Sequence, residues 1–531
     1  MGSRFTLLAI GVVLSYGFLF FHLYQIQVLG NQEYKAVAES QYAASLGLPS
    51  ASRGSIYFTD LDGKRVPAAF NKDFPVIYAV PSVIADPAAT AAQASLILGH
   101  PAQTLENYFA KKSSQYVLLD KNPDAATVAK VVAAKIKGIY TEFIPRRFYP
   151  FDSMAAQVLG FVGPNTDNNG VSGKYGVEKL YDEELVRRTD VTLTIDPTIQ
   201  AQGEHVVQKL LAKHGGRKAS MIVEDVRTGR ILAMGSAPAF DPNSYASTTN
   251  IARFLNPLIQ EIYEPGSVMK IVTMASALDS GKITPETTYN DTGELKLDGY
   301  TIHNWDLKAH GVVTMTEAIE GSLNTGDAFA QQRTGNAPFR GYLEKFGFGQ
   351  KTGIELPGEL AGDLRQLAQG KPQVNFATAS FGQGIAITPL EMLQSLATVA
   401  NGGVMMKPYV DVATGPEEVR RVVSAKAAGQ ATQMMVAAVD NARIAAINGF
   451  SIAGKTGTAQ VPNNVRGGYT NEVVHTFVGF LPANDPKIII LLKLDQPTGA
   501  PLAGTTVVPA FREFAQFLIN YYHIAPDRIS N

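Results

Sequence analysis

The chemistry of this chain gathers in three short runs. The first is Glu264-Pro265-Gly266-Ser267-Val268-Met269-Lys270. Pro and Gly precede the apolar stretch Ile271–Leu278, so a helix is expected to begin at Ser267 and to end near Gly281. Positions i and i+3 share a helix face, which brings the Ser267 hydroxyl and the Lys270 amine within reach of each other. The helix start also aims free backbone N–H groups at whatever binds there. A serine nucleophile needs a base, and Lys270 is the candidate at this spacing. An ordinary lysine, with a pKa of about 10.4, is neutral in fewer than roughly one molecule in a thousand at about pH 7. Bringing it to about 7 takes roughly three units, or roughly 4–5 kcal/mol, which burial and a second cation can supply. The mechanism therefore requires another positive charge in the site.

Lys455-Thr456-Gly457-Thr458 offers that charge. It follows a short apolar strand candidate, Phe450–Ala453. On a strand, Lys455 and Gly457 face one way and Thr456 and Thr458 the other, and glycine at 457 lets backbone or ligand approach closely. The third run, Ser322-Leu323-Asn324, follows a helix expected over Thr316–Glu320. It brings a hydroxyl for proton relay and an amide that can hold a substrate peptide group. Singly, each run reads as a helix cap or a turn. The ordered set is far more specific.

These runs need a scaffold. Ala219–Asp225 and Arg230–Met234, joined by Arg227-Thr228-Gly229, predict a hairpin, and a helix is expected over Pro197–His214. Helices alternate with loops through the middle. Apolar strands are expected at Thr476–Leu481 and Lys487–Leu494, then an amphipathic helix over Pro509–Tyr522. Strands at both ends with helices between predict an α+β domain, its central antiparallel sheet completed by the C-terminal strands and flanked by helices. Further upstream, Ser55–Thr59 and the Asp62-Gly63 turn read as a hairpin, and Ala88–Leu98 and Ala125–Ile136 as helices. Gln32–Ala44 reads as helical and Gly160–Gly176 as loop.

The N-terminus carries a different signal. No charged residue lies between Arg4 and Glu33, and Phe5–Tyr24 is strongly apolar. About 20 helical residues at 1.5 Å each span roughly 30 Å, the thickness of a bilayer core. The exit, His22-Leu23-Tyr24-Gln25-Ile26, is bulky and has no small-x-small cleavage site. An uncleaved signal-anchor is expected, with Arg4 in a short cytoplasmic tail and the rest outside. The 531 residues include no cysteine, which excludes disulfides, thiolate metal sites and cysteine nucleophiles. Eight histidines fall in no ligand spacing, so neither metal nor cofactor is expected. With 46 basic against 47 acidic residues and no long basic run, no nucleic-acid partner is expected.

SxxK, SxN and KTG in this order resemble the signature of the penicillin-recognising serine enzymes. Tyr263–Ser267, Pro238-Ala239-Phe240-Asp241-Pro242-Asn243 and Phe381-Gly382-Gln383-Gly384 with Thr388-Pro389 are similar to the transpeptidase domain of penicillin-binding proteins. Arg53-Gly54-Ser55-Ile56, Tyr175–Tyr181 and Thr194-Ile195-Asp196 resemble the pedestal module of class B members. Gly353–Glu359, Phe381–Ile385, Phe477–Phe480 and Ala503–Phe511 are similar above all to the septal, cell-division branch. The resemblance implies a cytoplasmic tail (1–4), a transmembrane anchor (5–28), an elongated non-catalytic pedestal (29–190) and a penicillin-binding transpeptidase domain (191–531).

It also implies that Ser267 attacks the D-Ala–D-Ala carbonyl of a peptidoglycan stem peptide and releases D-Ala. A neighbouring strand's amine then resolves the acyl-enzyme into a cross-link. Lys270 would be the base and Ser322 would pass the proton. Asn324, Lys455, Thr456, Gly457 and Thr458 would bind substrate or a β-lactam, and the backbone N–H groups of Ser267 and Thr458 would form the oxyanion hole. Partners implied are a polytopic membrane glycosyltransferase and other divisome proteins, since nothing in the chain resembles a glycosyltransferase module. A β-lactam-hydrolysing or β-lactam-sensing protein would use the same motifs, and a divisome scaffold is a further alternative. The sequence departs from the family at Leu323 of the middle motif and at Tyr57-Phe58-Thr59-Asp60-Leu61, and residues 75–143 match no named pattern. Trp305, the one tryptophan, reads either as a groove residue or as packing, and His475 as packing. Arg53 reads as a partner contact or a structural ion pair, and Glu178 as a structural pairing residue.

Overall fold

A computed structural model describes residues 2–25, 53–165, 170–463 and 466–528. The helix expected over Gln32–Ala44 and the end of the proposed anchor lie outside the described residues. Helix α1 runs over Gly2–Tyr24, and its large apolar side chains from Val12 onward are exposed. Among the described residues, no helix is long and apolar enough to cross a membrane.

The first sheet begins with β1 (Ile56–Thr59) and β2 (Arg65–Ala79), an antiparallel pair turned at Gly63 (φ 78°) as the Asp-Gly signal predicts. Helices α2 (Pro87–Leu98), α3 (Ala102–Phe109) and α4 (Ala125–Ala134) pack beside β3 (Val117–Asp120). Asp86 and Asp124 cap α2 and α4 by accepting backbone N–H groups. Strand β4 (Ile139–Phe148) pairs along β2 from Phe70↔Phe148 to Ala79↔Ile139. This long ribbon was not expected from the sequence. Pro67, Pro75 and Pro145 and the charged Lys72 and Asp73 break the alternating pattern by which strands are recognised. Strand β5 (Val191–Thr192) joins β1 in parallel.

At the root of this module lies a buried ionic network. Glu178, fully buried, accepts from Arg53 Nε at 3.1 Å, Arg147 Nε at 2.6 Å and the Tyr149 hydroxyl at 3.1 Å. Arg53 also reaches Asp182 at 2.7 Å. The structural readings of Arg53 and Glu178 fit this arrangement.

The second sheet carries the three motifs. Its strands are β6 (Lys218–Asp225), β7 (Ile231–Ala237), β8 (Ala453–Pro462), β9 (Tyr469–Leu481) and β10 (Ile488–Asp495). The order is β8-β9-β10-β6-β7, antiparallel throughout, so the C-terminal strands do complete it. The short strand expected at Phe450–Ala453 is corrected: regular pairing starts at Ala453, and the Lys-Thr-Gly-Thr run is itself the strand. β10 is apolar almost throughout because both of its faces are covered. Ile489 and Leu491 enter one core; Ile490, Leu492 and Leu494 enter the other. The first core is built with α6 (Lys270–Asp279), α9 (Pro389–Ala400) and α10 (Ala425–Ala442). The second is built with α5 (Pro197–His214) and α11 (Val507–Tyr521). Helices α7 (Met315–Glu320) and α8 (Asn324–Thr334) complete the site side. Asp196 caps α5, with Pro197 in its first turn and Gly215 (φ 59°) just past its end. Each side chain buried in these cores contributes roughly 1.5–3 kcal/mol, which fixes the frame on which the site sits.

Candidate active site

The site forms where the start of α6, the α7–α8 junction and β8 meet. Gly266–Met269 is a tight 3₁₀ turn that runs directly into α6, so Ser267 precedes Lys270 by one turn. Gly266 has φ 59°, a conformation glycine adopts without penalty, and its N–H donates to the Gly382 carbonyl at 3.1 Å. The Phe381–Gly384 segment thus clamps the turn, and Glu264 ties it further by accepting from Gly384 N at 3.1 Å and the Tyr469 hydroxyl at 3.0 Å. On the other side a Cβ at Gly457 would lie 2.6 Å from the Pro265 carbonyl oxygen and 2.9 Å from Val268. Glycine at 457 is what lets β8 lie against the Ser267 turn.

Ser322 occupies an unusual backbone position. It ends α7 with φ 52°, while its N–H donates to Ile319 O at 3.1 Å and that of Leu323 to Ala318 O at 2.8 Å. This is the left-handed helix-ending position that glycine normally fills. A serine there costs on the order of 1 kcal/mol in backbone strain. In return, its carbonyl and hydroxyl both face Lys270. Lys270 Nζ donates to Ser322 O at 2.7 Å and Oγ at 3.3 Å, and Lys455 Nζ donates to the same Oγ at 3.0 Å. The two lysines therefore converge on Ser322. Among the described residues, no hydrogen bond joins Lys270 to Ser267, although the i,i+3 spacing puts them one turn apart.

Ser267, Ser322, Lys455, Thr456 and Thr458 line one cavity of about 270 Å³. Strand alternation holds as expected: Lys455 and Gly457 are buried, and Thr456 and Thr458 are half-buried on the cavity wall. β8 is the edge strand of its sheet, so one row of its backbone groups has no neighbouring strand. The Thr458 hydroxyl accepts from Ala503 N at 3.1 Å, which draws the Leu502–Gly504 segment onto the cavity rim. Asn324, expected to bind substrate, is not among the residues that line this cavity; its amide donates to the His303 carbonyl at 2.8 Å. Trp305 lines the cavity, its indole N–H donating to Gly321 O at 2.9 Å. His475 stands opposite Thr458 on β9, fully buried, with Nδ1 2.8 Å from Thr506 Oγ1. Burial pulls it down to about 4, so it is neutral and packs rather than titrates near neutrality.

The electrostatics follow from burial. Lys270 is fully buried at the positive end of α6, and burial pulls it down to about 8 against the upward pull of Asp327. Lys455 falls to about 7 through burial and the positive charge of Lys270 beside it. Lys455 is therefore not the fixed cation the sequence argument pictured; the two lysines compete for protons. Asp327, which the sequence reading missed, is fully buried 3.6 Å from Lys270. One aspartate in the first turn of a helix carries no local signal; only the tertiary fold shows it to be part of the site.

Comparison with known proteins decides the family. The model of the penicillin-binding protein transpeptidase domain matches residues 219–516, and that of the penicillin-binding protein dimerisation domain matches residues 49–195. This chain is a class B penicillin-binding protein. Penicillin-binding protein PbpB of Mycolicibacterium smegmatis is 31% identical, over 78% of this chain and 71% of its own length. A Pseudomonas aeruginosa protein named "Probable peptidoglycan D,D-transpeptidase PbpC" is 28% identical over 96% of this chain and 95% of its own. Among solved structures, penicillin-binding protein 3 of Mycobacterium tuberculosis, complexed with aztreonam, superposes with a TM-score of 0.69. It is 28% identical and covers 91% of this chain and 99% of that one. The α+β fold of this penicillin-binding protein, with its antiparallel sheet between helical layers, is the transpeptidase fold.

Proposed function

We propose that this penicillin-binding protein is a peptidoglycan D,D-transpeptidase that cross-links stem peptides through an acyl-enzyme on Ser267. The observation that carries the reading is the convergence of Lys270 and Lys455 on Ser322 Oγ, at the wall of the cavity that also holds Ser267. Neutral Lys270 takes the Ser267 proton as Oγ attacks the carbonyl of the penultimate D-Ala. The backbone N–H groups of Ser267 and Thr458 hold the developing oxyanion. Ser322, bonded to both lysines, hands the proton to the departing D-Ala amine. Asn324 orients the substrate peptide group, and Lys455, Thr456 and Thr458 bind its carboxylate, with Gly457 giving the clearance. A β-lactam acylates the same serine, and its ring nitrogen receives the proton. Sequence relatives whose names state D,D-transpeptidase support the activity.

Septal duty is the branch we favour, supported by the Gly353–Glu359 and Ala503–Phe511 segments. The glycosyltransferase and divisome partners follow from that assignment. We also propose single-pass anchoring in the bacterial plasma membrane with the catalytic domain outside. Its support is the uncharged, largely apolar run from Phe5 to Gln32 behind Arg4.

The test is labelling with a fluorescent penicillin. The wild type should carry a long-lived adduct that mass spectrometry places on Ser267, and Ser267→Ala should carry none. Rapid loss of the label would indicate β-lactam hydrolysis instead, and a labelled Ser267→Ala would remove the nucleophile assignment. Full complementation of a depleted strain by Ser267→Ala would favour the scaffold role.

A further inference from the structure

Asp327 belongs to none of the three motifs, yet it faces their two lysines. It lies in the first turn of α8, fully buried. Its Oδ2 is 3.6 Å from Lys270 Nζ, beyond hydrogen-bond length, and neither carboxylate oxygen has a hydrogen-bond partner among the described residues. A buried carboxylate without hydrogen bonds is strongly disfavoured unless a cation compensates it. The compensating groups are the lysines of the site: Lys270 from α6 and, further off, Lys455 from β8. The Thr288–Asp291 strand adds two more titratable groups on the same side. The Tyr289 hydroxyl is 3.1 Å from Thr325 Oγ1, and Asp291 is held by Thr325 at 2.7 Å and Asn304 at 2.8 Å. Those two are satisfied locally, whereas Asp327 has only the lysines.

We propose that Asp327 is a positioning residue of the acylation step: it holds Lys270 Nζ beside Ser322 and supplies the one negative charge that keeps a proton in the lysine pair. This rests on the assignment of Lys270 as base. When the Ser267 Oγ–C bond forms, the Oγ proton moves to the Lys270 amine, and the ammonium so created faces a carboxylate already in place. As the C–N bond breaks, that proton leaves through Ser322 Oγ to the departing amine; Asp327 acts in its ionised form and takes no part in the transfer. Burial raises Asp327 and the two lysines hold it back, the balance lying at about 7. Asp327 in turn pulls Lys270 up. The carboxylate thus delays the release of the Lys270 proton as pH rises.

The experiment compares wild type with Asp327→Asn in the full chain, following second-order acylation by a fluorescent penicillin across pH. Without the carboxylate, Lys270 loses its proton more readily. The acid limb of the profile should move down by about one pH unit or more, a tenfold change in the neutral-lysine fraction on that limb. A limb coincident with that of wild type overturns the proposal, because a purely structural role leaves the profile's position unchanged. If Asp327→Asn does not fold, the double variant Lys270→Met/Asp327→Asn removes both buried charges. Recovery of a cooperative thermal transition supports the pairing, and no recovery overturns it. Lys270→Met alone separates the two levels: undiminished acylation there refutes the base assignment itself, whereas an unmoved limb in Asp327→Asn refutes only the role of Asp327.

Discussion

Replacing Lys455 by methionine separates charge from carboxylate binding in this site. Both lysine nitrogens lie on Ser322 Oγ, at 3.0 and 3.3 Å, which limits their separation to about 6 Å. Two unit charges about 6 Å apart repel by roughly 2.5–3 kcal/mol at an effective dielectric of about 20, or about two pKa units. That is the full effect of a permanently charged Lys455. With Lys455 drawn down to about 7, it is protonated for only part of the time near neutrality, which reduces the expected effect to about one unit. The sign is set by which form of Lys270 is favoured. Removing a neighbouring cation stabilises protonated Lys270, so its pKa rises and the neutral base appears only at higher pH. Lys455→Met should therefore shift the acid limb of penicillin acylation upward by about one pH unit, lowering the rate at about pH 7 roughly tenfold through this effect alone. If Lys455 also binds the substrate carboxylate as proposed, the plateau falls in addition. The measurement is the acylation rate constant over a range of pH, by gel fluorescence or stopped flow. A lowered plateau with an unmoved limb refutes electrostatic coupling between the lysines and leaves Lys455 as a substrate-binding group only.

Three further outcomes follow from the packing and the charges. Gly457→Ala places a Cβ 2.6 Å from the Pro265 carbonyl oxygen and should push β8 off the Ser267 turn. The expected loss is about 1–3 kcal/mol of stability and at least about tenfold in acylation rate, read by denaturation and labelling in parallel. Arg147→Met breaks one side of the buried Glu178 network and should destabilise the pedestal root by about 3–5 kcal/mol, with two separated thermal transitions as the signature. Glu224 is fully buried with Oε2 unpartnered among the described residues, and burial raises it to about 8. A carboxyl raised on folding favours the folded state when protonated, so stability falls as pH climbs from the ordinary carboxylate range towards about 8. Glu224→Gln should flatten that fall and stabilise the protein at about pH 8 by on the order of 2–4 kcal/mol, measured by chemical denaturation at several pH values.

The parts of the site legible in the sequence were those whose chemistry is written locally. Ser267 and Lys270 share one helical turn, and the KTGT alternation is a property of any strand. Pro197–His214 was bounded by its own Asp196 cap and Gly215 stop. What escaped was written only in three dimensions. The β2–β4 ribbon hides behind prolines and charges because most of its residues are exposed or half-buried, so no period-2 apolar pattern is needed to form it. The left-handed turn at Ser322 cannot be read from Ser-Leu-Asn, because serine is not the residue that position usually takes. Asp327 was illegible for a simpler reason: a carboxylate in a first helical turn ordinarily faces solvent and the helix dipole, and only packing against α6 shows otherwise.

The strand order has a consequence for how the protein is made. Within this sheet β6 and β7 are synthesised first, yet β6 pairs with β10, the last of the described strands, and β8 can join only through β9. The Ser267 turn leaves the ribosome some two hundred residues before the strand that leans on it through Gly457. Nascent and truncated chains ending before β8 therefore lack Lys455, the cavity wall and the clamp on the nucleophile turn. Acylation competence arrives as a late, all-or-none event once the last strands of the sheet are made, and a penicillin present during synthesis has no target until those strands dock.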